Sequence, residues 1–153
     1  MKTLIVLYSY HHHNTEKIAR VFAKVLDSQI VNPLKTNPQE TQKYDLVGFG
    51  SGIDSDKHYK PLLDFVDKLP EVNAKNAFIF STSGIPMAEK SYMPKCHALL
   101  KEKLISKGYL IVDEFICRGF NTNVFLKYIG GLNKGHPNET DLENAKNFAK
   151  KLK

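Results

Sequence analysis

Short apolar runs of strand length alternate with helical patterns along all 153 residues, and few folds accommodate that alternation. Five runs have strand composition: Thr3 to Tyr8, Gln29 to Val31, Leu46 to Gly50, Ala77 to Phe80 and Leu110 to Cys117. Most are continuous rather than alternating, as strands covered on both faces of a parallel sheet must be. Between them the spacing predicts helices. One runs from Thr15 to Leu26, burying Ile18, Ala19, Phe22, Val25 and Leu26. A second, Pro61 to Leu69, presents Leu62, Phe65, Val66 and Leu69, with proline accepted in its first turn. A third, Lys95 to Ser106, carries Ala98, Leu99, Leu104 and Ile105 and stops at Gly108. The last, about 139 to 152, has Asn138 or Thr140 as its cap and acidic residues in its first turn.

No repeat and no Pro/Gly-rich linker divides the chain, so residues 1–153 read as a single α/β domain. The expected architecture is three-layered and doubly wound: a five-stranded parallel sheet in the order 2-1-3-4-5, with helices on both faces. Ligands of such sheets bind beyond the carboxyl ends of the strands. The loops there (9–14, 51–59, 81–92 and 118–123) are all polar and rich in small residues.

Composition narrows the classes further. With 42% hydrophobic and 25% charged residues the chain is an ordinary folding sequence, not a disordered one. No apolar stretch reaches membrane-span length, and "TLIVLY" is a strand-length run without a small-residue cleavage site, so neither a membrane span nor a signal peptide is expected. Cys96 and Cys117 form no Cys-x-x-Cys pair and read as buried thiols of a reducing cytoplasm, with a disulfide left open. The net charge is +6, but its lysines lie beside acids, as in "KEKLISK" and "ENAKNFAKKLK". That is the pattern of solvated helix faces, and nucleic acid is disfavoured as a partner.

The segment "YSYHHHNTEK", residues 8–17, joins the first strand to the first helix. A helix start exposes unpaired backbone N–H groups and the positive end of its dipole, a ready phosphate site. Ser9, Asn14 and Thr15 add short donors. No Gly-x-Gly-x-x-Gly and no Walker lysine is present, which disfavours a dinucleotide fold or a nucleoside triphosphatase. The three histidines admit a metal site, a general base, a polar turn or phosphate contacts. Adjacent side chains diverge and no partner motif accompanies them, so no metal is expected. Phosphate contact through loop N–H groups, with imidazole donors added, is the preferred reading.

The stretch "LYSYHHHNTEKIA" resembles the phosphate loop of flavodoxins, in which a strand ends in Tyr and the helix opens with Asn-Thr-Glu. "DLVGFGSGI" and "FIFSTSG" resemble the second and third cofactor loops, and "GGLNKGHPNETDLENAKNFAKKL" resembles a Gly-His-Pro-Asn entry to the last helix. The resemblance spans nearly the whole chain and points to the short-chain, flavodoxin-like form. It implies FMN held non-covalently by Ser9, Tyr10, His11, His12, His13, Asn14 and Thr15 at the phosphate. It implies Ser51, Gly52, Ile53, Asp54 and Ser55 at the ring, with Ile53, His58 or Tyr59 available for stacking. Thr82, Ser83 and Gly84 fall at the pyrimidine edge, Tyr92 as a ring cover, and Gly119 and Phe120 beside the same crevice. The chain departs from the family pattern in placing His13 at the usual glycine position, in being basic, and in lacking tryptophan.

An electron carrier follows as the expectation: an oxidoreductase-class flavoprotein, cytoplasmic and monomeric, exchanging electrons with redox partner proteins and needing no protein acid or base. Two alternatives remain at this stage. One is an NAD(P)H-dependent quinone or flavin reductase on the same fold; the other is a binding module that has lost its flavin.

Overall fold

The computed structural model describes residues 1–9, 13–84, 89–119 and 135–153. The elements run β1 (Thr3–Tyr8), α1 (Asn14–Leu26), β2 (Gln29–Val31), a 3-10 turn (Pro38–Lys43), β3 (Leu46–Asp54) and β4 (Lys57–His58). They continue with α2 (Lys60–Asp67), β5 (Lys75–Ser83), α3 (Glu89–Ser106), β6 (Tyr109–Arg118) and α4 (Glu139–Lys151). Five strands pair in parallel in the order β2-β1-β3-β5-β6, the expected doubly wound order. The two-residue β4 is an antiparallel spur on β3 that periodicity could not reveal.

Side chains alternate across the sheet and build two cores. Leu4, Val6, Val47, Phe49, Ala77 and Ile79 face α2 and α3. Ile5, Leu7, Phe78, Phe80 and Phe115 face α1 and α4. In the second core the ring of Phe22, fully buried, meets Phe78, Phe80 and Phe115 edge-on at 5.1–5.7 Å. Burying one such side chain is worth about 2–3 kcal/mol. Gly48 and Gly50 of β3 lie opposite Phe78 and Phe80 of β5. A Cβ at either glycine would stand 2.2 Å from the facing ring, so the "GFG" of this strand makes room for the two phenylalanines.

Two boundaries differ most from the sequence reading. β3 continues past Gly50 to Asp54, because Ile53 and Asp54 pair with His58 and Lys57 across a two-residue turn. Both turn residues, Ser55 and Asp56, have positive φ (51° and 63°), as a primed hairpin turn requires. Helix α3 begins at Glu89, six residues early, and carries Pro94 within it. Its buried side is Cys96, His97, Leu100 and Leu104, whereas the expected Leu99 and Ile105 are exposed. A wholly buried histidine occupies a core position there and hides the apolar period. At the other end of α3, Gly108 has φ +96° and donates its N–H to Ile105 O, the expected stop. Helix α4 opens with a reciprocal capping box. Asn138 Oδ1 accepts from Asp141 N at 2.9 Å, and Asp141 Oδ2 accepts from Asn138 N at 2.8 Å.

Candidate functional site

The parallel register aligns Tyr8, Ser51 and Ser81 in one row at the carboxyl edge of the sheet. Immediately beyond it, on the α1 side, the ends of three strands meet the start of α1. His13 is the N-cap, with φ 53° and ψ 33°, and its side chain makes no capping hydrogen bond. This explains why glycine is usual there: the chain must turn left-handed to enter the helix, and histidine adopts that region at a cost of about 1–2 kcal/mol. Ser9 Oγ accepts from Glu16 N at 3.2 Å and caps the first turn from outside. The Glu16 carboxylate pairs with Arg20 at 2.7 Å and lies 3.2 Å from His13 Nδ1.

Asn14 and Thr15 are buried at this start. Thr15 Oγ1 lies 2.8 Å from Thr82 Oγ1, tying α1 to the end of β5. Gly119 N donates to Ser83 O at 2.9 Å, and a Cβ on Gly119 would sit 2.7 Å from Asn14 Nδ2. Asn14, Thr15, Thr82, Ser83 and Gly119 are therefore brought together, with Gly84 following at the half-buried end of the strand. Tyr10, His11, His12 and Phe120, also expected here, lie outside the described residues.

The second loop is the β3–β4 hairpin. Ser51 is buried; its Oγ accepts from Tyr59 N at 3.1 Å and donates to Gly52 O at 2.7 Å. At Gly52 a Cβ would come within 2.7 Å of the Tyr59 ring, which in turn meets Tyr8 edge-on at 5.9 Å. Ile53 is half-buried, and Asp54 and Ser55 are exposed at the tip. Tyr92, expected as a ring cover, is only 5% exposed, and its hydroxyl donates to Asp56 Oδ1 at 2.5 Å. Lys95 pairs with the other Asp56 oxygen at 3.1 Å. Burial, then the Asp56 carboxylate, pushes the Tyr92 hydroxyl pKa well up, so it remains a donor, while the Tyr92 and Lys95 contacts hold Asp56 below the usual carboxylate range. Tyr92 thus fastens the hairpin turn to α3. Of the three residues offered for stacking, His58 is removed from the surface, at 1% exposure.

Beneath the hairpin, on the α3 side, lies a polar cluster that sequence reasoning missed. His58 Nε2 stands 3.2 Å from Phe80 O, which it can only reach as a donor. Among the described residues its Nδ1 has no hydrogen-bond partner within bonding geometry, and its ring faces His97 at 5.0 Å. His97, wholly buried, sits between Glu114 Oε1 (Nδ1, 3.2 Å) and Ser81 Oγ (Nε2, 2.6 Å). Lys101 holds the second Glu114 oxygen at 3.0 Å. Contact with His97 first, and with Lys101, keeps Glu114 ionised, with its pKa at about 2. An anionic Glu114 fixes the proton on Nδ1 of a neutral His97, so Ser81 donates to Nε2. Burial depresses both histidines, His58 to about 3, and raises the Cys96 thiol to about 11. Ser–His–Glu is the order of a hydrolase triad, but Ser81 has no exposed surface from which to attack a substrate. The sequence signal for this cluster was weak: isolated histidines 39 positions apart, joined only by folding.

Cys96 and Cys117 are both buried thiols, with no disulfide between them. Among the described residues no helix is long and apolar enough to cross a membrane.

Comparison with known proteins agrees with this geometry. The chain is 48% identical over 152 residues to an uncharacterized protein of Methanocaldococcus jannaschii, covering 99% of this chain and 98% of that one. Its fold is similar to oxidised flavodoxin 1 of Bacillus cereus, with a TM-score of 0.68, 19% identity and coverage of 97% and 95% of the two chains. It is also similar to a flavodoxin from the domain Archaea, with a TM-score of 0.64, 15% identity and coverage of 99% and 96%. A flavodoxin-domain family profile matches residues 5–128. The strand order and these matches agree: this chain belongs to the flavodoxin-domain family.

Proposed function

We propose that the protein binds FMN non-covalently at the carboxyl edge of the sheet and carries electrons between redox partner proteins in the cytoplasm. The observation that carries this reading is the convergence of the α1 start with Thr82, Ser83 and Gly119, next to the β3–β4 hairpin.

The residues present fit the cofactor. A phosphate monoester needs several N–H and O–H donors and little competing negative charge. The start of α1 supplies backbone N–H groups and a favourable dipole end. Of the two hydroxyls of Thr15 and Thr82, one donates to the other, which leaves a second O–H to point outward. Glu16, the acid in the first turn, is already paired. Ser9, Asn14 and Thr15, together with Tyr10, His11, His12 and His13, would hold the phosphate. Thr82, Ser83 and Gly84 would address the ring edge, and Gly52 to Ser55 its other side, with Gly119 and Phe120 alongside.

When bound, FMN supplies the redox chemistry, and the protein orients it and tunes its potentials. The basic charge of the chain, +6, weakens the field that opposes added electrons. A less negative potential than in acidic relatives follows. The test is an absorbance spectrum of the freshly purified protein with extraction of its cofactor. A flavin spectrum yielding FMN supports the reading; a colourless protein that takes up no added FMN overturns it. Turnover of NADPH with a quinone would replace the carrier by a reductase.

A further inference from the structure

The cluster of His58, Ser81, His97 and Glu114 includes none of the residues assigned above to the phosphate, yet it adjoins both segments assigned to the ring. His58 belongs to the hairpin and hydrogen-bonds β5 at Phe80, and Ser81 directly precedes Thr82, Ser83 and Gly84. His97 joins them through Ser81 and is anchored on the far side by Glu114. Glu114 and Lys101 in turn line a surface cavity of about 480 Å³ with Pro94, Ala98, Glu102 and Ile105. A buried base therefore stands between the site and an ionised carboxylate that touches solvent.

Resting on the FMN reading above, we propose that His97 is a charge-compensating base for the cofactor site: full reduction of bound FMN draws one proton from water onto His97 Nε2. Full reduction places two electrons on the ring, delivered by the reductant, and an electron not matched by a ring proton leaves negative charge there. The proton gained by His97 offsets that charge. Ser81 then turns from donor to acceptor on Nε2–H, and Nδ1–H keeps its bond to Glu114. No bond to carbon forms or breaks.

The surroundings single out His97 rather than His58. The charged and titratable groups around His97 are Glu114 from β6, Lys101 from α3 and His58 from the hairpin, with Cys96 its chain neighbour; β5 offers the Ser81 hydroxyl. A charged His97 has the Glu114 carboxylate 3.2 Å away. A charged His58 would have the backbone groups of Phe80 and Cys96 beside it and, among the described residues, no carboxylate in ion-pair contact. Burial keeps His97 neutral while the site is uncharged, and added negative charge nearby favours its protonated form.

The experiment is nitrogen-15 NMR of the histidine rings of the FMN complex near pH 7, oxidised and then reduced anaerobically with dithionite. The ring assigned to His97 by its absence in His97→Gln should pass from the neutral Nδ1–H pattern to the imidazolium pattern on reduction. In His97→Gln the potential of the second electron should lose the part of its pH dependence that one proton supplies. Glu114→Gln offers a second route: without the balancing carboxylate, His97 should stay neutral on reduction. Unchanged His97 signals in a complex that binds FMN overturn this proposal alone. A protein that binds no FMN overturns the carrier reading and this proposal with it.

Discussion

Thr15 Oγ1 and Thr82 Oγ1, 67 positions apart in sequence, share a 2.8 Å hydrogen bond at which both residues are at most 4% exposed. The bond locks the start of α1 to the end of β5. Removing one partner strands a buried hydroxyl, at a cost of about 1–3 kcal/mol. Thr15→Val and Thr82→Val should each destabilise by about that much, while the double variant loses clearly less than the sum. Urea unfolding of the four proteins measures this, and strict additivity would refute the coupling.

Gly50 faces Phe80 with no room for a methyl group. Gly50→Ala should cost about 1–3 kcal/mol by overpacking, because Phe80 is wholly buried and cannot swing into solvent. Adding Phe80→Leu should restore part of the loss. A thermal melt of Gly50→Ala that matches the parent would show that the strand pair can yield.

His13 holds a left-handed conformation that glycine adopts without steric cost. His13→Gly should therefore stabilise the fold, by roughly 0.5–1 kcal/mol after the greater chain entropy of glycine is counted. The lost contact to Glu16 is an exposed pair that contributes little. A lower urea midpoint for His13→Gly would mean that the imidazole makes a contact worth more than the strain.

The buried histidines make the fold sensitive to acid. Their folded pKa values are depressed, so both are neutral in the native state, whereas the unfolded chain takes up protons below about pH 6.5. Their contribution is intact above that pH and is lost as pH falls, for His58 down to about 3, at up to about 1.4 kcal/mol per pH unit for each histidine. Glu114, with its folded pKa at about 2, adds a second loss that begins below the ordinary glutamate range, near 4.5. Stability against pH should thus fall in two stages. His58→Gln, which keeps a donor for Phe80 O, should lower the slope between about pH 6 and 4.5 by one proton. Equal slopes for parent and variant would assign the acid loss elsewhere.

Strand order and helix placement were legible because both rest on local pattern. The apolar runs of β1, β3 and β5, the face of α1 and the capping residue Asn138 all declare themselves within a few residues. The hairpin was not legible. Ser55 and Asp56 lack the glycine that usually marks a primed turn, and it is the Tyr92–Asp56 tie, 36 positions apart, that helps hold them. The start of α3 was hidden by Pro94, and its buried face by His97, which stands in the core only because Ser81 and Glu114 arrive there from other strands.

Periodicity and turn chemistry by themselves determined a doubly wound parallel sheet with a helix start after its first strand. Those signals are set by neighbours in the chain, whose backbone preferences and burial need are already present in the residues. Only the tertiary structure decided which polar groups meet: Thr15 with Thr82, Tyr92 with Asp56, and His97 with Ser81 and Glu114. The reason is that burying a polar group is tolerable only beside a partner, and the partner is supplied by the register of strands and helices distant in sequence.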